Sequence, residues 1–204
     1  MNREKADEVL QRQTGMTLQE VVQIGILSHW HKASEGNRED GAQWYLINQQ
    51  AIDEMAHGSG VSLDTAAAVV AHLSPRIHWS RNIIAAHSVL NGLPVTGIMT
   101  RSLAGAQAAI AAYQKGEDPL KTLRGPKIRN FAANLIGDQW AVTIDVWAGR
   151  VALGRREDLD KVMGRAGVYE ALAIAYREAA NEVGVSPSTM QATCWIVARN
   201  GKAN

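Results

Sequence analysis

The stretch that decides the fold is Leu123-Arg-Gly-Pro-Lys-Ile-Arg-Asn130, which is followed by Thr143-Ile-Asp-Val-Trp-Ala-Gly-Arg150. A glycine turn leads into a helix predicted over 126–136, because its proline suits the first position of a helix. A second helix is predicted to begin near Asp145 and to end near residue 153. Lys127 and Asp145 therefore each lie at the start of a helix, 18 residues apart in the chain.

The remainder of the chain shows the periodicity of helices, and no segment alternates convincingly as a strand does. Further helices are predicted over about 18–33, 39–57, 63–73, 78–90, 100–115, 169–183 and 187–199. Helix caps are predicted at Thr17 with Glu20 as its capping-box partner, at Ser62, at Thr100, and at Thr143 or Asp145. The fold class predicted from this pattern is all-α.

The composition excludes several classes of protein. With a single cysteine among 204 residues, the chain cannot form an internal disulfide or a four-cysteine iron–sulfur cluster, and Cys194 is expected to be buried as a small hydrophobe. No apolar run approaches the roughly 20 residues that span a bilayer, and the charged N-terminus lacks the apolar core of a secretory signal. We therefore expect a cytoplasmic protein. The six histidines lack the spacing of metal ligands, so no metal or other cofactor is expected.

The net charge of +1 conceals a basic stretch between residues 121 and 156. Its seven basic residues, opposed only by Asp138 and Asp145, are Lys121, Arg124, Lys127, Arg129, Arg150, Arg155 and Arg156. A local cationic patch on a neutral protein can bind phosphates without making the whole surface adhesive. A solvated face of ordinary helices is the alternative interpretation of the same charges.

A second motif, Ala71-His-Leu-Ser-Pro-Arg-Ile-His-Trp-Ser-Arg-Asn82, precedes the basic stretch. Taken in order, the motifs resemble the helix–hairpin–helix DNA glycosylases of the endonuclease III-like superfamily. In those enzymes a glycine hairpin, a lysine at a helix start and an aspartate recur in the same order along the chain. The residues that match this pattern in type and spacing are Lys127, Asn130, Asp145 and Arg150. The likeness covers roughly residues 63–153.

Three smaller segments are similar to a branch of these glycosylases, the phage-type alpha-glutamyl/putrescinyl thymine pyrophosphorylases. They are Ser74-Pro75 with Trp79 and Asn82, Gly125-Pro-Lys127, and Ser186-Pro187 with Gln191 and Trp195. That branch is associated with hypermodified thymine in phage DNA. The resemblance therefore implies excision of a damaged or modified base from DNA, with a phage hypermodified base as one such substrate, in a bacterial or phage-infected cell.

The resemblance also implies a two-lobed fold with the active site in the cleft between the lobes. Residues 36–137 would form the multi-helix lobe that carries the hairpin, and residues 1–35 with 138–204 would form the second lobe. Asp145 would stabilise positive charge on the sugar or deprotonate the nucleophile, and Lys127 could form a Schiff base that leads to abasic-site cleavage. The target base must leave the stack, which implies a monomer acting on double-stranded DNA with a flipped base.

The remaining implied roles concern DNA contact. Arg76 would be the wedge that enters the opened duplex, and His78 and Trp147 would line the base pocket. The residues implied to contact DNA phosphates are Gly125, Lys121, Arg124, Arg129 and Arg150. The sequence departs from the family in having a single glycine in the hairpin. In addition, the proline that follows this glycine has no N–H to offer a phosphate.

Alternatives remain open for the function and for single residues. The enzyme could remodel a hypermodified thymine without releasing the base, or the chain could be a non-catalytic DNA-binding module. Asp145 is alternatively explained as a helix cap, and Lys127 as a solvated lysine or a phosphate contact. These alternatives differ in whether abasic sites are formed and in whether Asp145 matters for chemistry.

Overall fold

The structure is a computed structural model, which describes residues 1–154 and 158–200. Arg155 and Arg156 of the predicted basic stretch lie outside these residues. Within them every regular element is a helix, which confirms the predicted all-α class. The elements in chain order are α1 Arg3–Thr14, α2 Leu18–Glu20, a π-helix Val21–Leu27, α3 Ser28–Lys32, α4 Glu35–Gly58, α5 Leu63–Leu73, α6 Trp79–Leu90, α7 Thr100–Gln114, a 3₁₀-helix Pro119–Thr122, α8 Pro126–Leu135, α9 Val146–Leu153, α10 Leu159–Met163, α11 Val168–Val183 and α12 Pro187–Ala198.

The chain divides into two compact units. Unit 1 contains Met1–Trp44 and the described chain from Gln139 onward, and unit 2 is the segment Tyr45–Asp138. The long helix α4 contributes residues to both units. The assignment of residues 36–137 as the hairpin-bearing lobe of a glycosylase stays a prediction.

In unit 1 the helix α11 is the centre of the core and packs against α1, α12 and the π-helix. Its buried side chains include Leu172 and Tyr176, which are fully enclosed. Cys194 on α12 is buried as predicted, and burial raises the pKa of its thiol far above the ordinary value. Gly25 of the π-helix lies so close to α9 that a Cβ there would overlap the carbonyl oxygen of Ala152.

In unit 2 the helix α5 is the central element and packs against α6, α7, α8 and the 3₁₀-helix. Every residue of α5 from Thr65 to Leu73 is buried, in keeping with its run of alanines and valines. Gly105 of α7 lies against the ring of His72, so that α7 approaches α5 closely. This contact lies near the C-terminal end of α5, where the loop that contains Arg76 begins.

Most predicted helix starts are confirmed, and two expectations are wrong. The Thr17–Glu20 capping box and the Ser62 cap are present. Thr100 is the first residue of α7 rather than its cap, because the extended residue that precedes the helix is Met99. The single helix predicted over 18–33 is interrupted by the π-helix. Helix α1 was not predicted, because its few apolar residues lie in a segment of which half the residues are charged.

Among the described residues, none of the helices is both long enough and apolar enough to span a bilayer.

Candidate functional site

The predicted hairpin is a tight turn at Gly125, which caps α8 in unit 2. Its backbone angles, φ +85° and ψ 151°, belong to a region that is essentially restricted to glycine. A Cβ at this position would meet no atom, so the backbone conformation rather than crowding requires glycine. Arg129 closes the turn from α8 by donating from Nε to the carbonyl oxygen of Leu123, at 3.1 Å. The preceding helix of the motif is the four-residue 3₁₀-helix Pro119–Thr122.

Four cations surround this turn, and we call Lys121–Arg129 the basic segment. Lys121, Arg124 and Arg129 are exposed, and Lys127 is partly buried in the first turn of α8. Within the described part of unit 2, no carboxylate lies within the 4.0 Å of an ion pair from any of these side chains. Their charge is therefore not neutralised by the unit itself and can attract an external anion.

Arg76 lies in the loop of residues 74–78, which connects α5 to α6 and which we call the Arg76 loop. Arg76 is exposed and has a φ of +61°, a left-handed conformation that costs a non-glycine residue about 1 kcal/mol. His78 ends the loop as the N-terminal residue before α6, and its side chain makes no capping hydrogen bond there. Trp79 then packs edge-on against Phe131 of α8, with 6.1 Å between the ring centroids.

A hydrogen bond between His72 and Thr122 ties the Arg76 loop to the basic segment. His72 Nε2 lies 3.0 Å from Thr122 Oγ1, and that hydroxyl donates to the carbonyl oxygen of Pro119 at 2.7 Å. Because the hydroxyl hydrogen is used in this way, Nε2 of His72 is the donor, and burial lowers the pKa of the ring. The Arg76 loop begins two residues after His72, and Thr122 lies within the basic segment. The hydrogen bond therefore makes the loop and the segment neighbours in unit 2.

In unit 1, Asp145 is the N-cap of α9, as one of the two predicted caps. Its Oδ1 accepts a hydrogen bond from the main-chain N–H of Ala148 at 2.8 Å, and its carbonyl oxygen accepts from Gly149 at 2.9 Å. The residue is partly buried, whereas the other candidate cap, Thr143, is buried before the helix begins. The capping role of Asp145 is thus established, and its catalytic role stays a prediction.

Two tyrosines of α11 hold the chain on either side of Asp145. Tyr169 Oη donates to the carbonyl oxygen of Val142 at 2.9 Å and accepts from the N–H of Ile144 at 3.1 Å. Tyr176 Oη donates to the carbonyl oxygen of Ala148 at 2.9 Å. Sequence reasoning assigned no role to these tyrosines, although their spacing of seven residues places both on one face of α11.

Trp147 and Arg150 form a pair on α9. The guanidinium carbon of Arg150 lies 4.8 Å from the centroid of the Trp147 ring, a cation–π geometry. One face of the indole is therefore covered, so Trp147 can offer only its other face to a base. Nε of Arg150 is buried and has no hydrogen-bond partner among the described residues, which leaves an unused donor at this position.

The predicted site residues fall into two sets. Unit 2 contains Gly125, Lys121, Arg124, Lys127, Arg129, Arg76 and His78, and the hydrogen bond of His72 links their two loops. Unit 1 contains Asp145, Trp147 and Arg150, all on or next to α9. In the described parts of the chain, no cluster of three or more histidine, cysteine, aspartate or glutamate side chains could hold a metal ion.

A family model described as DUF7178, a family of unknown function, matches residues 7–202. The chain belongs to the DUF7178 family. The matched region includes both the Asp145 turn and the basic segment, so the family model covers both sets of predicted site residues. Neither a curated protein nor a solved structure matches this DUF7178 chain.

Proposed function

We propose that this DUF7178 protein is a DNA glycosylase of the two-lobed helix–hairpin–helix class, which releases a modified base by cleaving its N-glycosidic bond. The observation that carries the proposal is the unneutralised basic segment around the Gly125 turn, with the Arg76 loop next to it. Cations on two adjacent loops suit a polyanion better than a single small anion. The likeness of the motifs to modified-base enzymes favours a hypermodified pyrimidine in phage DNA as the substrate.

Binding to DNA would depend mainly on the exposed cations of unit 2. Each phosphate that a lysine or arginine neutralises releases counterions. The logarithm of the DNA affinity therefore falls with the logarithm of the salt concentration, by a slope of about 0.9 per contact. The N–H groups at the start of α8 add a favourable dipole for a phosphate, except at Pro126, which has none. Arg76, exposed and held in a left-handed conformation, is the residue that we propose to enter the opened base stack.

Asp145 and Lys127 are the residues that we propose to act on the sugar. Cleavage of the N-glycosidic bond builds positive charge on the sugar, which a carboxylate such as Asp145 would stabilise. Water could then complete a simple hydrolysis. The amine of Lys127 could instead attack C1′ and displace the base. Opening of the C1′–O4′ bond then gives the Schiff base, and elimination of the 3′ phosphate cleaves the strand.

Incubation with three DNA substrates tests the proposal. Unmodified, oxidised and hypermodified phage DNA would each be treated with the protein, and abasic sites and released bases would be quantified. We expect abasic sites in at least one modified DNA and a loss of about 100-fold or more in the rate for Asp145→Asn. Asparagine caps a helix as well as aspartate does, so this variant removes the charge and keeps the cap.

A non-catalytic DNA-binding module is the second candidate, and the hydrogen bond from Ala148 to Asp145 favours it by giving the carboxylate a structural role. This candidate predicts DNA binding without abasic sites, equally in the wild type and in Asp145→Asn. Remodelling of the base would instead change the mass of a nucleoside while leaving the N-glycosidic bond intact. Mass spectrometry of digested DNA distinguishes base release, base remodelling and the absence of any chemistry in one experiment.

A further inference from the structure

The hydrogen bonds around Asp145 point to a role for two residues that the sequence motifs do not include. We propose that Tyr169 and Tyr176 are positioning residues, which hold the Asp145 carboxylate in the orientation needed for base excision. The inference rests on the proposed function. It adds that α11, through these two tyrosines, controls the rate of base excision. It concerns residues of unit 1 alone.

The first step of the argument is the way in which the turn is held. Tyr169 uses its hydroxyl both as donor to Val142 and as acceptor from Ile144, so the irregular segment before Asp145 is fixed at two points. Tyr169 is 7% exposed, and both of its hydrogen bonds are buried. A buried segment outside helices and sheets has no regular partner for its backbone groups, and here the tyrosine hydroxyl pairs with two of them.

The second step concerns Ala148, which links the carboxylate to Tyr176. The N–H of Ala148 donates to Asp145 Oδ1, and its carbonyl oxygen accepts from Tyr176 Oη. Displacement of Ala148 would therefore move the donor that orients the carboxylate. Tyr176 is completely buried, and its raised pKa, caused first by burial and then by the nearby Cys194 and Asp145, keeps the hydroxyl protonated and able to donate.

The third step is the chemistry that this support would serve. Electrostatic stabilisation of a transition state requires a charge that is already in place, because reorientation during the reaction would cost free energy. A displacement of about 1 Å can lower a rate by about 100-fold. Two buried tyrosines that fix the backbone on both sides of one carboxylate provide this kind of preorganised support.

The variants Tyr169→Phe and Tyr176→Phe test the inference, because each removes one hydroxyl and keeps the ring. The control is Tyr113→Phe in unit 2, whose hydroxyl makes a long 3.4 Å hydrogen bond to the carbonyl oxygen of Gly60. Three quantities would be measured at a temperature at which all variants are folded. They are the single-turnover rate of base excision with saturating DNA, the dissociation constant for the same DNA, and the amide exchange rate of Ala148.

We expect either α11 variant to lower the single-turnover rate about tenfold, to change the dissociation constant less than twofold, and to speed exchange at Ala148 about fivefold. Tyr113→Phe should leave all three quantities unchanged. An unaltered rate in both α11 variants, or an equal fall in Tyr113→Phe, would overturn the inference. If the wild type excises no base, the proposed function fails, and with it the role in base excision. Exchange at Ala148 then tests only whether the tyrosines hold the Asp145 turn: faster exchange upholds that support, and unaltered exchange overturns it.

Discussion

The Asp145 turn of unit 1 and the basic segment of unit 2 are built in opposite ways. Around Asp145, buried hydroxyls and main-chain groups satisfy one another at distances of 2.8–3.1 Å. Around Gly125, three of the four cationic side chains are exposed, and none of the four has a carboxylate partner within the described part of their unit. A group that must act with fixed geometry benefits from the first arrangement, and a surface that attracts a polyanion benefits from the second.

The largest effect is expected where the π-helix of unit 1 packs closely against the backbone of α9. In Gly25→Val, the new side chain would overlap the carbonyl oxygen of Ala152, so the π-helix and α9 would have to separate. We expect a loss of about 3 kcal/mol in the free energy of unfolding, measured by urea denaturation with tryptophan fluorescence. Gly58→Ala is the matched control, because a Cβ at Gly58 meets no atom within 4 Å. Equal stabilities of the two variants would contradict the packing described for α9.

Gly125→Ala tests the basic segment of unit 2. Alanine is strained at φ +85° and ψ 151°, so we expect a loss of about 2 kcal/mol in the free energy of unfolding and a distorted turn. The dissociation constant for duplex DNA should rise at the same time, because Lys127 and the first N–H groups of α8 follow the turn directly. Both quantities can be measured on the folded variant at low temperature.

Gly92→Ala provides the control for strain without a DNA contact. Gly92 also has a positive φ, of +68°, in the turn after α6. We expect this variant to lose stability and to keep the DNA affinity of the wild type. A similar loss of affinity in both variants would show that strain in unit 2, rather than the geometry of the basic segment, controls binding.

Much of this comparison could be predicted from the sequence, because its signals are local. Asp145 as a possible cap, the proline after Gly125 and the cluster of cations are each visible within a few residues. The support of Asp145 is not, since Tyr169 and Tyr176 contact main-chain groups that lie 25 to 28 residues away. No periodicity or cap signal reports which distant carbonyl a hydroxyl will reach.

The π-helix and the His72–Thr122 bond escaped prediction for the same reason. The seven residues Val21–Leu27 have the apolar pattern of an ordinary helix, and that pattern shows neither the π-helix nor the close approach of Gly25 to α9. His72 appears in the sequence as one histidine on an apolar helix, 50 residues from its partner. Long-range contacts of this kind decide how the two loops of unit 2 are held together.

A smaller effect is expected from neutralising two cations of the basic segment. The double variant Lys121→Ala/Arg124→Ala removes exposed side chains, so stability should change by less than about 0.5 kcal/mol. The slope of the logarithm of DNA affinity against the logarithm of salt concentration should fall by about 1.8 if both side chains contact phosphates. Fluorescence anisotropy at several salt concentrations measures this slope. Lys115→Ala/Arg12→Ala, which alters exposed cations elsewhere, should keep the wild-type slope.

The smallest effect is expected from the group that joins the two loops of unit 2. Because burial lowers the pKa of His72, the folded protein binds a proton there less readily than the unfolded chain does. Its contribution to stability is therefore complete above the ordinary histidine pKa of about 6.5 and declines as the pH falls from there toward the lowered pKa. His72→Gln keeps a donor for Thr122 and removes the titration, so the difference in unfolding free energy between wild type and variant should change with pH below about 6.5 and be constant above it. A difference that does not vary between pH 5 and pH 8 would contradict the buried, neutral state of His72, and with it the hydrogen bond by which Nε2 ties the Arg76 loop to the basic segment.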